Sequence, residues 1–471
     1  MKKINICYIG GGSKNWARVF MTDLALEEGL GGTISLYDID LPAAQRNAQI
    51  GERINGHPNC KSKFRYKVCE QLDDALVGAD FVILSILPGT FDQMHSDVHC
   101  PEQFGIYQSV GDTVGPGGVL RAMRTIPLYD QFATKIKAIC PDAWVINLTN
   151  PMSVCVKTLY DVFPQIKAFG CCHEVFHAQD FLALVLREIK GIDVDRKQIY
   201  TDACGVNHFT WITKAFYQDI DLLKLIPAFA QKYFEQGYYE KPGCDRFAFL
   251  TDSFAYGNKV KMDLFAKYGA LAAAGDRHLA EFLPNDWYLT NPQTVKDWAF
   301  LLTTVPFRKQ KQQEQINKSI KLASGELPIE LKQSDEEAVA IMKALLGNGP
   351  LVTNVNLPNN GQMSQLPIGS IVETNCVFSN NNVSPVVSLP LPSGAVDWVQ
   401  LNCQNIDNTF LGVKSRDLAL LEQTFARQPL CCHLSKQQSH QLFKQMCYNT
   451  QEYLQPYFDL DSYFKCTRKG V

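Results

Sequence analysis

At 471 residues, with 46% hydrophobic and 20% charged side chains, the chain is too long for one ordinary core and too apolar for disorder, so two or more lobes are expected. Its 45 basic and 48 acidic residues are interspersed and sum to a formal charge of -3, which argues against nucleic-acid and membrane-surface partners. The longest basic run, Arg308-Lys309-Gln310-Lys311, reads as a solvated helix face. The 16 cysteines have no regular spacing, the first strand begins at Ile4 with no room for a signal peptide, and no apolar run approaches the roughly 20 residues that span a bilayer. Reduced thiols and a cytoplasmic location are expected.

Along residues 1–197, short β-branched runs alternate with amphipathic stretches, the pattern of βαβ units around a doubly wound parallel sheet of Rossmann type. Strands are predicted at 4–9, 34–38, 64–69, 81–86, 144–148 and 168–172, and helices at 15–28, 42–54, 119–139, 153–162 and 175–189. The first strand runs straight into Gly10-Gly11-Gly12-Ser13, which opens the first helix. Glycines there let the backbone approach a pyrophosphate whose charge rests on the helix N-terminus. The match is a variant, because the third glycine of G-x-G-x-x-G, counted from Gly11, falls at Trp16. The second strand ends in Tyr37-Asp38-Ile39-Asp40, where Asp38 is placed to accept from a ribose diol and to repel a 2′-phosphate. These residues point to NAD rather than NADP. Alone, they describe a dehydrogenase acting on a small polar molecule.

The pattern changes at 198, and residues 198–471 read as an α+β lobe for substrate, metal and oligomerisation. Helices are predicted at 221–237, 244–268, 294–324, 415–425 and 435–454, with β-rich stretches at 371–378 and 386–391. There is no internal repeat.

Four segments do not fit a simple dehydrogenase: Gly111-Asp112-Thr113-Val114-Gly115-Pro116-Gly117-Gly118, Asn147-Leu148-Thr149-Asn150-Pro151-Met152, Cys171-Cys172-His173-Glu174-Val175 and Gly205-Val206-Asn207-His208. Three lie at or just past predicted strand ends, where open α/β sheets bind ligands, so they should converge on one cleft. In order and spacing, together with Val355-Asn356-Leu357-Pro358-Asn359-Asn360-Gly361 and Leu366-Pro367, they resemble glycoside hydrolase family 4, the NAD-dependent glycosidases.

The resemblance implies a Rossmann domain followed by a lobe like that of lactate and malate dehydrogenases, assembled as a homodimer or homotetramer. It also implies a reaction in which NAD oxidises the sugar at C3, the C2 proton becomes acidic and is removed, the C1 oxygen leaves, water adds, and C3 is reduced again. By the same resemblance Cys172 and His208 are the ligands of a divalent metal, usually manganese, although thiolate is a soft ligand for it. Cys171 should point to the opposite side of its strand. Asn150 corresponds to a substrate-binding asparagine, Asp112 to the acid that protonates the leaving oxygen, and Asp276 to the base. His57, His95, His99, His177, His433 and His440 read as ordinary structural histidines.

Within the family, Cys-Asp accompanies phospho-sugars and Cys-His-Ser accompanies α-galactosides. Cys172-His173-Glu174-Val175 is similar instead to the motif of bacterial α-galacturonidases. His173 and Glu174 are thus expected at the substrate, Arg277 and His278 are candidates to meet its carboxylate, and Glu174 should bind a hydroxyl or a basic side chain. Alternatives are the same chemistry on an α-galactoside or α-glucuronide, a lactate- or malate-type dehydrogenase, and a non-catalytic NAD-binding protein.

Overall fold

The computed structural model describes residues 2–240 and 245–466. Its first half is a parallel sheet of β1 (Lys2–Ile9), β2 (Leu30–Tyr37), β3 (Phe64–Cys69), β4 (Phe81–Leu84), β5 (Trp144–Asn147) and β6 (Lys167–Gly170), in the order β3-β2-β1-β4-β5-β6. Strands covered by helices on both faces read as unbroken apolar runs, as in Phe81-Val82-Ile83-Leu84, every residue of which is buried. This is the doubly wound α/β order, with its switch between β1 and β4.

The sheet does not stop at β6. It continues through β7 (Tyr200–Val206), β8 (Phe209–Tyr217), β9 (Ile220–Asp221), β10 (Leu271–Ala272), β11 (Leu351–Pro358), β12 (Ile371–Ser379) and β13 (Asn382–Pro385) to give 13 strands. From β6 outward the order is β6-β11-β12-β7-β8-β10, all antiparallel. The late hairpin β11-β12 is therefore wedged between β6 and β7: Asn356 pairs with Gly170, and Glu373 with Gly205. The expected boundary at 197/198 falls at a 3-10 turn, Arg196–Gln198, and the sheet runs on past it.

The predicted first-half elements lie where the sequence puts them, with two extended at their starts: the strand predicted from 34 begins at Leu30, and one helix is also longer. The helix predicted from 119 begins at Gly115 (Gly115–Ile139), because Pro116 is tolerated in a first turn. Among the helices that escaped prediction are Phe91–His99, opened by a Thr90/Gln93 capping box, Ala338–Leu345 and Ser393–Lys414.

The second-lobe expectations need correction. Of 221–237 only Ile226–Tyr233 is α-helical. Of 244–268 only Lys259–Tyr268 is, after a 3-10 turn at Ala248–Leu250, and residue 244 lies outside the described residues. The span 294–324 splits into Pro292–Asp297 and Val305–Ser324 around Ala299 at φ 58°. The helix at 415–425 is Leu418–Ala426, and 435–454 divides into Lys436–Asn449 and Gln451–Leu454. No strand forms at 386–391, where Pro390 lacks the N–H a ladder needs; β13 lies just before it. Among the described residues no helix is long and apolar enough to cross a membrane.

One buried ion pair frames the loop that carries Asp112. Arg124 of Gly115–Ile139 donates through Nη1 to Asp97 Oδ1 of Phe91–His99 at 3.0 Å, and Nη2 meets the other oxygen. Both side chains are almost wholly buried. Removing one charge strands the other, so Asp97→Asn should cost about 3–5 kcal/mol, read as a lowered denaturation midpoint. Unchanged stability would mean that the pair does not hold these helices.

Candidate active site

The turn after β1 is built for close approach. Gly10 has φ 97°, and a Cβ there would lie 1.9 Å from the Ser85 carbonyl oxygen. Gly12 N–H donates to Asp38 Oδ2 at 2.8 Å, Ser13 N–H to the Gly10 carbonyl at 2.8 Å, and Asp40 N–H to Asp38 Oδ1 at 2.8 Å. Asp38 thus braces the turn, and its carboxylate keeps acceptor capacity beyond these two bonds. Asn47 donates to the carbonyls of Gly11 at 2.8 Å and Ser13 at 2.9 Å. Sequence reading missed Asn47; its signal was a polar residue on the buried side of Leu41–Asn55.

His208 occupies the two-residue turn between β7 and β8 at φ 32°, a left-handed conformation that few non-glycine residues adopt. Gly205 before it passes so near the partner strand that a Cβ would meet the Phe209 carbonyl oxygen at 2.5 Å. Strain held by a tight hairpin commonly marks a functional position. The His208 ring lies 4.1 Å from that of His278, centroid to centroid, and the donor atoms of Asp112, His208 and His278 fall within 4.8 Å of one another. Thr113 Oγ1 donates to Asp112 Oδ1 at 2.8 Å and contacts His208 Nδ1 at 3.1 Å. Its one proton being committed to Asp112, the hydroxyl accepts from Nδ1–H, which leaves the Nε2 lone pair for a ligand. Burial lowers the pKa of both imidazoles, that of His278 to about 3 with help from His208, so both are neutral donors.

Cys172, just past β6, packs with Met152, Val156 and Ile371, whereas Cys171 packs with the core around β1 and β2, so the two thiols do face different sides. Burial, then Glu373 and Glu174, push the Cys172 thiol well above its ordinary pKa, against a hydrogen bond from Asn207. Such a thiol ionises only beside a cation. Behind it Glu373, 1% exposed, accepts from Thr210 Oγ1 at 2.7 Å, Asn354 Nδ2 at 2.6 Å and Asn207 Nδ2 at 3.4 Å, and Asn354 Nδ2 also reaches the Cys172 carbonyl at 3.4 Å. The signal for this hub was a lone acid inside the apolar run Ile371-Val372-Glu373-Thr374. Asn150 accepts from Arg121 Nε on its carbonyl at 3.1 Å, while its side-chain Oδ1 is buried without a partner.

The second lobe adds charge. Burial raises the Glu174 pKa, but His177, His278 and His173 together hold it well below the usual range; its Oε2 accepts from Gly275 N–H at 2.7 Å and its Oε1 is 3.7 Å from His278 Nε2. Basic side chains around Glu174 are what the sequence led us to expect. Arg277 donates to Thr303 Oγ1 at 2.6 Å, lies over the Phe254 ring, and keeps a buried Nε without a partner. His173 stacks on Trp16 of the dinucleotide turn.

Asp276 is fully buried, and its Oδ1 accepts from Lys261 N–H at 3.1 Å at the start of Lys259–Tyr268 while Oδ2 has no partner. It heads Asp276–Glu281 behind an N-cap at Gly275, so its carboxylate caps the neighbouring helix rather than its own. Burial pushes its pKa up to about 6 against the pull of Lys261, whose own pKa burial lowers to about 8. Asp112 is the opposite case: burial opposes ionisation, but Arg121, His278, His208 and Arg308 hold its carboxyl well below the usual range. Its loop is tied down by Glu281, which sequence reading also missed. Glu281 accepts from Val110 N–H at 2.6 Å and from Gly111 N–H at 2.9 Å.

Fold and site together define an α/β enzyme with a glycine turn after its first strand and a cluster of Asp112, His208 and His278 whose donor atoms lie within 4.8 Å of one another. Family 4 glycosyl hydrolase matches residues 5–188, and the C-terminal domain of that family matches residues 203–431. An α-galacturonidase of Thermoanaerobacterium saccharolyticum is 51% identical over 96% of each chain, and one of Bacillus subtilis is 46% identical over 95% of this chain and 97% of its own. The crystal structure of the Bacillus subtilis protein lplD superposes with TM-score 0.89 at 45% identity, covering 95% of this chain and 100% of that one. A Thermotoga maritima 6-phospho-β-glucosidase solved with manganese, NAD+ and glucose-6-phosphate has the same fold, with TM-score 0.74 at 17% identity over 96% and 99% of the two chains. The chain belongs to the family 4 glycosyl hydrolases.

If Glu281 pins the acid loop, Glu281→Ala leaves two buried N–H groups without an acceptor, at about 1–3 kcal/mol each. Chemical denaturation should register that loss. A variant as stable as the parent would assign the pinning elsewhere.

Proposed function

We propose that the chain is an α-galacturonidase that works with NAD and a divalent cation, manganese by analogy with the Thermotoga structure. One observation in the cleft carries the choice of sugar: Arg277 is buried with an unpartnered Nε beside the Glu174 and His278 cluster, a cation with donor capacity left for a substrate carboxylate. The curated α-galacturonidases at 46–52% identity support it, against 26% for an α-galactosidase.

The glycine turn fits NAD, since a Cβ at Gly10 or Gly12 would fill the cradle. Bound there, NAD supplies a reversible hydride acceptor for the sugar's C3 hydroxyl. The buried thiol and the neutral imidazole with its open Nε2 fit a divalent cation, which Cys172 and His208 would hold and which would supply positive charge to stabilise the anion formed when the C2 proton leaves. The unpartnered Asn150 Oδ1 accepts a sugar hydroxyl, and Glu174 fixes the cleft side of His278.

Asp276 takes the C2 proton through its free Oδ2, its raised pKa making it a better base than an ordinary carboxylate. A second reading rests on the same pocket: Asp276 Oδ1 is turned into a helix start, and Tyr256, whose ring packs on Gly275, is a buried phenol in the field of Glu174 and Asp276. Asp112 is assigned to the leaving oxygen, yet the guanidiniums of Arg121 and Arg308 keep it ionised, and a carboxylate in that state serves a metal better than it serves as an acid. Leaving-group dependence separates the roles, because Asp112→Asn spares nitrophenyl substrates only if Asp112 is the acid.

A panel of aryl α-glycosides (galacturonide, glucuronide, galactoside, 6-phosphoglucoside) assayed with NAD, Mn2+ and a thiol reductant should favour the galacturonide. NADH should not accumulate, because the two hydride transfers cancel. Preference for a neutral or phosphorylated sugar overturns the substrate, and stoichiometric NADH overturns the reaction.

The base is tested by pH. A base with a pKa near 6 is protonated below it, so kcat/KM should fall as pH drops through about 6. Lys261→Met removes the charge that lowers that value and should move the limb to higher pH. In heavy water the product should carry deuterium at C2, and Asp276→Asn should abolish both exchange and turnover. Exchange that survives Asp276→Asn but not Tyr256→Phe assigns the base to Tyr256.

A further inference from the structure

We propose that the first turn of the helix Glu174–Lys190 holds a second divalent-cation site, formed by His173, Glu174 and His177 and separate from the Cys172 and His208 pair. The stretch reads His173-Glu174-Val175-Phe176-His177, with His173 as N-cap and Glu174 the first helical residue. Histidines four apart lie one above the other on one helical face, which is why this spacing recurs in metal sites. Here the geometry delivers it: one donor atom from each of the three residues lies within 4.8 Å of the others.

The orientations are specific. His173 Nε2 is 3.9 Å from Glu174 Oε1, and His177 Nδ1 is 3.9 Å from Glu174 Oε2. Two donors bound tetrahedrally to one ion at about 2.0–2.2 Å stand roughly 3.4 Å apart, so the three donor atoms, within 4.8 Å of one another, draw in to that spacing when they close on an ion. The opposite nitrogen of His173, Nδ1, is 3.1 Å from Glu336 Oε1. That carboxylate fixes the proton on Nδ1 and turns the Nε2 lone pair inward, the usual outer partner of a metal-bound imidazole. The face of the same ring rests on Trp16 at 5.9 Å between centroids. With side-chain exposures of 33%, 9% and 22%, the trio is shielded but reachable from solvent.

Two imidazoles and a carboxylate form a nitrogen and oxygen donor set without thiolate, suited to zinc or manganese, with positions left open for water or an anionic oxygen. Glu174 is not free to act as a water-activating base in the manner of a metalloprotease, since Gly275 N–H occupies its Oε2 and His278 stands 3.7 Å from its Oε1. It forms instead the wall between this site and the His208 cluster.

The probe is Mn2+ itself, which discriminates against stray thiols. The full-length chain with NAD is stripped of metal, titrated with Mn2+ and read by elemental analysis and electron paramagnetic resonance. Two ions per chain are expected for the parent, with magnetic coupling between them. His177→Ala and Cys172→Ser should each hold one ion and lose the coupling. Glu336→Gln, which leaves every ligand in place, should weaken one of the two ions by about 10–100-fold and so answers even if His177→Ala does not fold. One ion in the parent, or two in His177→Ala, overturns the second site. Loss in Cys172→Ser is a separate outcome that bears only on the first.

Discussion

The buried carboxylate of Glu373 is the constraint on which the site rests. An ionisable group this deep is costly unless its oxygens are filled, and here Thr210, Asn207 and Asn354 fill them. These partners come from β8, the turn before it and β11, so one side chain ties the strand that leads into His208 to the hairpin that lies against the Cys172 segment. The hairpin β11-β12, far along the chain, has to insert between β6 and β7 for this to happen. Cys172 and His208, 36 positions apart, are thereby held by Glu373, more than 150 residues further along the chain.

Charge in the cleft is arranged by pushing like groups in opposite directions. Asp112 and Asp276 are both buried carboxylates, but the guanidiniums of Arg121 and Arg308 keep the first ionised, while desolvation outweighs Lys261 at the second. Two side chains of the same chemistry thus hold their protons with opposite strength within one cleft. Glu281, with a pKa that burial raises to about 8, completes the pattern by holding the Asp112 loop through backbone N–H groups.

Much of the first half was legible because parallel strands and glycine turns write their structure locally. Phe81-Val82-Ile83-Leu84 can hardly be anything but a buried strand, and Gly10 is required by a carbonyl 1.9 Å from where its Cβ would stand. The second lobe was harder, since several of its helices are short or interrupted. Ala299 takes a positive φ that composition does not announce, and Pro390 breaks an otherwise strand-like run. Residues set by tertiary contact alone were missed for the same reason: Asn47, Glu281 and Glu373 acquire their meaning from partners distant in sequence. His177 was read as an ordinary histidine because its spacing from His173 matters only once Glu336 and Trp16 fix the ring of His173.

Glu174 stands where these separate systems meet. It follows β6 by a few residues, so the parallel sheet places it at the carboxyl end where such folds bind ligands. Its Oε2 takes the N–H of Gly275, whose missing Cβ admits the Tyr256 ring, and its Oε1 faces His278 and through it His208. Beside it His173 touches the dinucleotide turn through Trp16. A glutamine would still accept from Gly275, but three histidines would lose the charge they share. The carboxylate, rather than its shape, is therefore what joins the two lobes electrostatically at the cleft.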